Sequence, residues 1–234
     1  MKRQMFVLLF PCVMALVMLS GWLNLSRLDA AAPSAPSATF TVNSTIDATD
    51  ANPGNGVCET APGNGICTLR AAIQESNTLA GADTINIPTG TFLLTLDGIN
   101  EDNAVTGDLD IKDDLTINGV SPQGTILDGN DLDRLFHITG NSMPTVIIAH
   151  LTIQNGQSFH PDAGYLGVGG CVLNNNGSLN VNDTIFYNNY RGCLYNAGTM
   201  TVTNSLAQNN PGTAISNLIT GTMFIENTVV ETAI

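Results

Sequence analysis

From Gly169 to Val230 the chain alternates apolar and polar residues, and the alternation restarts at regular intervals. Gly177-Ser-Leu-Asn-Val-Asn-Asp-Thr-Ile-Phe-Tyr-Asn-Asn189 aligns with Gly198-Thr-Met-Thr-Val-Thr-Asn-Ser-Leu-Ala-Gln-Asn-Asn210 and with Gly221-Thr-Met-Phe-Ile-Glu-Asn-Thr-Val-Val-Glu231. The stride is 21 residues from Gly177 to Gly198 and 23 from Gly198 to Gly221. Leu179, Met200 and Met223 form one column, and Val181, Val202 and Ile225 a second. Asp183, Asn204 and Asn227 form a third; Thr184, Ser205 and Thr228 form a fourth. Cys171-Val-Leu-Asn174, Cys193-Leu-Tyr-Asn196 and Ala214-Ile-Ser-Asn217 precede these pieces in matching positions. A period of two predicts strands, and a fixed repeat in the twenties predicts a stacked, solenoid architecture.

One such unit cannot bury its apolar side alone, and stacking makes the apolar columns continuous. Equivalent residues then lie roughly 4.8 Å apart. Asn174, Asn196 and Asn217 are expected to form a structural ladder, each amide bonding its neighbour, as in other in-register strands. Asn also tolerates the left-handed backbone of a sharp corner. Earlier pieces read the same way: Ile85 to Leu96, Gly107 to Ile111, Leu115 to Gly119, Thr125 to Gly129, Leu135 to Ile138, Val146 to Ile148, and Leu151 to Gly156, which echoes Leu115 to Gly119 at a distance of 36. Residues 157–168, with His160, Asp162 and Tyr165, interrupt the pattern as an insertion, and insertions in such folds project from one face. The columns resemble the right-handed parallel β-helix of pectate-lyase-like proteins. Gly169-Gly-Cys-Val172 and Phe186-Tyr-Asn-Asn189 resemble, over a single unit, the repeats of polymorphic outer-membrane proteins. The resemblance implies an all-β, right-handed parallel β-helix over residues 85–234.

The chain's start differs. Lys2 and Arg3 precede an uncharged apolar run from Met5 to Leu25, and small residues follow at Ala30 to Ala32. Residues 1–32 read as a secretory signal peptide or, given the length of the run, an N-terminal membrane anchor. Residues 33–38 form a Pro/Ser/Ala linker. A strand at Thr39–Asp47 leads into a Gly/Asn/Pro loop carrying Cys58 and Cys67. In an exported chain these two pair as the local disulfide, while Cys171 and Cys193 are either a disulfide across one repeat or two buried thiols. Thr68 to Ala80 predicts the one helix, with Thr68 as N-cap, Leu69, Ala72 and Ile73 on a shared face, and Gly81 as its end. It would plug the open end of the stack. Arg70 reads as a structural residue pairing with a carboxylate. Cys67-Thr-Leu-Arg-Ala-Ala-Ile73 resembles the Cys-Ser-Leu-Arg-Glu-Ala-Ile signature of the CSLREA domain, found near the start of exported bacterial β-helix proteins. Residues 39–84 are thereby an N-terminal cap of strand, disulfide loop and helix, and the resemblance implies export and fold but no catalytic residues.

Charge narrows the function. The net charge is −13 with only 7 Lys and Arg, so the clustered cations that phosphate binding requires are missing. Nucleic acid is therefore not an expected partner. Asp108, Asp110, Asp128 and Asp131 are weak Ca²⁺ candidates, against a reading as solvated turn residues. No other cofactor is expected. Asp113 with Asp114, or Asp131 with Asp133, supplies carboxylates for glycoside hydrolysis, but neighbours on a strand face opposite ways. A lyase would need a cationic base, with Lys112, Arg134 and Arg191 the only choices, and a chain this acidic repels polyuronates. His137 and His150 read as face or core residues. The sequence predicts an exported bacterial surface or secreted protein, non-catalytic, with adhesion, display or contact with glycans or neighbouring cell surfaces as its role. The alternative is a carbohydrate-active β-helix enzyme, a polysaccharide lyase or glycoside hydrolase. The chain stops mid-repeat at Ile234, so a missing segment or a second chain is expected to cover that end.

Overall fold

The computed structural model describes residues 36–98, 101–158 and 169–232. The leader at residues 1–32 and the insertion's His160, Asp162 and Tyr165 lie outside the described residues. The described part is mostly β, with one helix, Leu69–Ser76, and every strand ladder in it is parallel. An 11-stranded sheet runs from Thr39–Thr41 through Asp83–Asn86, Leu115–Asn118, Thr145–Gln154, Ser178–Tyr187 and Thr199–Thr203 to Thr222–Glu226, with side branches. A 5-stranded sheet orders Leu109–Ile111, Phe136–Ile138, Val172–Asn174, Leu194–Asn196 and Ile215–Asn217.

The register matches the sequence columns. Leu179 pairs with Met200 and Met200 with Met223; Val181 pairs with Val202 and Val202 with Ile225. Leu179, Met200, Val181 and Val202 join one core with Ile85, Ile117, Val146 and Ile148; Met223 packs against it half-buried, and Ile225 is exposed on the strand Thr222–Glu226. Asp183, Asn204 and Asn227 all adopt left-handed backbone, at φ +46°, +52° and +47°, which Asn and Asp tolerate better than other non-glycine residues. In the fourth column the Thr184 N–H donates to Ser205 Oγ and the Ser205 N–H to Thr228 Oγ1, at 3.2 and 3.3 Å.

Asn side chains satisfy the corners. Asn174 Nδ2 donates to Asn196 Oδ1 and Asn196 Nδ2 to Asn217 Oδ1, both at 2.7 Å. Two further ladders join Asn189 to Asn210 and Asn182 through Asn204 to Asn227. Cys58–Cys67 and Cys171–Cys193 are both disulfides, with Cα atoms 5.0 and 4.5 Å apart. Two disulfides fit an oxidising environment. Among the described residues no helix is long and apolar enough to cross a membrane.

The helix departs from expectation in two ways. Thr68 caps its start, Oγ1 accepting from the Ala71 N–H, but it ends at Ser76 with Asn77 as C-cap, well short of Gly81. All eight residues are buried, not one face only. The 47–67 loop and the residues before Leu109 take the place of water around it. Gln74 accepts from the Asp50 N–H and donates to Ala104 O; Glu75 accepts from the Gly54 and Gly56 N–H groups. The first strand is likewise shorter than expected, Thr39–Thr41, because Asn43 leaves the sheet for Cys67, its N–H donating to Cys67 O and its Oδ1 accepting from the Cys67 N–H.

Candidate functional site

The four Ca²⁺ candidates do not converge. Asp108 sits on Arg134, with Oδ2 at 3.0 Å from Nε. The Asp128 carboxylate is filled by Gln154 Nε2, Asn155 Nδ2 and the Asn130 N–H. Asp131 is exposed at a left-handed corner. Among the described residues the His, Cys, Asp and Glu groups with three donor atoms within 4.8 Å reduce to Asp102, Asp110 and His137. Of the four aspartates only Asp110 belongs to it, and its neighbours there are a carboxylate and an imidazole, a mixed oxygen and nitrogen set.

Strand pairing builds that cluster. Asp110 and His137 are direct partners across parallel strands, and both point away from the core-facing Leu109, Phe136, Ile111 and Ile138. His137 Nδ1 lies 3.1 Å from Asp110 Oδ1 and 3.6 Å from Asp102 Oδ1. The Ala104 N–H donates to Asp110 Oδ2 at 2.8 Å, holding the carboxylate's far oxygen. On the other side His137 Nε2 is 2.8 Å from Asn175 Nδ2. Asp110 is fully buried and His137 8 % exposed, whereas the Asp102 side chain is 72 % exposed. Burial raises the Asp110 carboxyl above the ordinary carboxylate range, partly opposed by the His137 contact and the Ala104 N–H, with Glu101 adding to the rise. Beside the cluster a cleft of about 540 Å³ is lined by Asp102, Asn103, Lys112, Thr139, Asn141 and Asn176.

The hydrolytic and lyase candidates are engaged elsewhere. Asp113 Oδ1 accepts from the Asp114 N–H, and Asp114 Oδ1 from the Thr145 N–H. Arg134 is 1 % exposed and faces Asp108 and Asp133, so no polymer reaches its guanidinium. Lys112 donates to Asn103 Oδ1 at 2.7 Å, and Arg191 lines a separate cleft of about 260 Å³ with Leu194, Tyr195 and Ser216. His150 is a half-exposed surface residue paired with Asp183 at 2.9 Å. Asp102 and Asn175, which complete the cluster, carry no signal in the sequence: they are 35 and 38 residues from His137 and belong to no column.

A second buried carboxyl makes a pH-dependent prediction. Asp83 Oδ1 accepts from the Ala38 N–H, while Oδ2 is buried without a partner. Burial raises its pKa, the Ala38 N–H opposes the rise, and Asp113 adds to it. The native state therefore keeps this proton at a pH where the unfolded chain has lost it. Stability from this group is present at low pH and is lost as pH rises through the raised value. Asp83→Asn, which mimics the protonated form, is expected to gain on the order of 1 kcal/mol at pH 7.5. The gain should shrink toward zero as pH falls through the native pKa; an equal gain at pH 7.5 and pH 3.5 by thermal unfolding would contradict the assignment.

No protein-family model, curated protein or solved structure matches the chain.

Proposed function

We propose that this is an exported, non-catalytic display protein: a right-handed parallel β-helix, closed at its start by a CSLREA-like cap, whose outward Thr and Asn rows contact surface glycans. The observation that carries the reading is the register of the large sheet's outward residues. Thr39, Thr84 and Thr116 are successive ladder partners, as are Asn180 and Thr201; Asn86 pairs with Asn118, and Asn182 with Thr203. All are exposed or half-buried. Ile147 and Ala149 separate the two groups along the ladder, and within each group short uncharged hydroxyls and amides at a spacing of roughly 4.8 Å offer donors and acceptors that fit neutral sugar hydroxyls. The apolar run near the N-terminus and the two disulfides support export into a bacterial envelope or beyond it.

Immobilised neutral polysaccharides should retain the protein and release no new reducing ends or unsaturated products. Asn180→Lys alone, at a half-buried surface position where it faces no second lysine, should abolish retention while leaving the melting temperature within a few °C. Retention equal to wild type in that variant sinks the assignment of the face. Steady product formation from any polysaccharide would favour a carbohydrate-active enzyme instead.

A further inference from the structure

The geometry points to a divalent transition-metal site of the Zn²⁺ class at Asp102, Asp110 and His137, opening on the adjoining cleft; it stands independently of the glycan reading. Ligands about 2.1 Å from an ion and 3.1 or 3.6 Å apart subtend about 95° and about 118°, within the tetrahedral to octahedral range. An ion about 2.1 Å from His137 Nδ1, on the side facing the two carboxylates, can thus bind Asp110 Oδ1 and Asp102 Oδ1 as well, since all three atoms lie within 4.8 Å of one another. One imidazole and two carboxylates suit Zn²⁺ better than Ca²⁺, which takes oxygen ligands only. The local charge favours a cation: Glu101, Asp102 and Asp110 face the site against one ammonium, Lys112, tethered to Asn103.

A second observation is independent of the acidic pair. Asn175 Oδ1 is buried and accepts no hydrogen bond, while its Nδ2 meets His137 Nε2. With Nδ1 on a metal, a neutral imidazole carries its proton on Nε2 and needs an acceptor there. Metal-bound histidines almost always find one. Rotating the Asn175 amide by half a turn, which exchanges atoms of nearly equal size, supplies that acceptor and satisfies the orphaned oxygen. The Ala104 N–H on Asp110 Oδ2 plays the same orienting part for the carboxylate. Three protein ligands leave at least one position of a four-coordinate ion for water or for a ligand oxygen entering the cleft.

Zn²⁺ titration of the purified full chain by calorimetry should give one ion per chain and a rise in melting temperature, with no response to Ca²⁺. Histidine-ring ¹⁵N NMR should show His137 passing from the Nδ1–H to the Nε2–H tautomer on Zn²⁺ addition. Asp102→Asn, at an exposed side chain that leaves the fold intact, should weaken binding roughly tenfold or more. Asn175→Ala should weaken it by a similar factor through loss of ring positioning, and should blunt the tautomer change. His150→Gln, in the other His–Asp pair, should bind as wild type. Absence of Zn²⁺ binding overturns the proposal, as does affinity unchanged in Asp102→Asn or lost in His150→Gln.

Discussion

Replacing Arg70 with Ala is expected to cost about 3–5 kcal/mol and lower the melting temperature by about 10 °C. The side chain is 1 % exposed at the centre of the cap. Nε and Nη2 bind the Asp47 carboxylate at 2.6 and 3.1 Å, and Nη1 and Nη2 donate to Ala104 O, Asp108 O and Gly107 O. A guanidinium has five N–H donors, and each has an acceptor here. Asp47 in turn accepts from the Thr95 and Leu96 N–H groups. One residue thus ties the helix to the Asp47 turn, to the Thr95–Leu96 chain and to the segment before Leu109. Truncation leaves a buried carboxylate and three carbonyls short of a donor, and such losses exceed the worth of the intact pair. Arg70→Lys keeps the charge but offers three donors without the planar fork, so it too should lose more than about 2 kcal/mol. Chemical denaturation of both variants checks this; an Arg70→Lys protein within 1 kcal/mol of wild type would mean that charge alone matters.

The role of Arg70 was half legible in the sequence. A lone Arg in an apolar helical stretch announces a buried partner, but that Asp47 is the partner depends on a turn 23 residues away. The strand columns were the most legible feature, because period-two alternation fixes which side chains share a face and equal strides fix the register. The same columns held the Asn174 ladder in view. The Asn189–Asn210 ladder was in the alignment too, as the matched Asn-Asn ends of two repeats, yet nothing in the letters says that the second Asn turns inward while Asn188 and Asn209 take left-handed backbone. The metal-ligand set was scarcely legible. Asp110 stood among the aspartates, but periodicity cannot tell a carboxylate satisfied by Arg134 from one left beside an imidazole. Asp102 reaches the cluster from an irregular segment, and irregular segments have no period to read. Length misled as well: the helix ends four residues before Ala80, because the Asn77 side chain leaves the helix to bond Asp110 O and the Lys112 N–H.

Glycine at 156 should prove as indispensable as Arg70, for a different reason. Its backbone is not left-handed, so Ala meets no conformational penalty there; the obstacle is space. A Cβ at this position would sit 1.9 Å from Gly170 O and 2.6 Å from Leu135 Cδ1. Leu135 could change rotamer, but the Gly170 carbonyl is backbone, fixed beside the Cys171–Cys193 disulfide and with its own N–H donating to Gly192 O. Gly119, which closes the matching Leu115 piece, is pressed in the same way against His150 O at 2.3 Å. At these two corners the chain passes so close to its neighbour that only hydrogen fits. Gly156→Ala must push two backbone segments apart and disturb the 2.8 Å bond from the Gly156 N–H to Asn189 Oδ1. The expected loss is about 3 kcal/mol or more, at the upper end for overpacking because no flexible side-chain atom can absorb the strain. Gly56→Ala is the matched control: at φ +82° it meets nothing within 4 Å, so it should cost only about 1 kcal/mol, the penalty of left-handed backbone. If thermal unfolding ranks the two the other way, the close approach of the strands at Gly156 is not what holds this corner together.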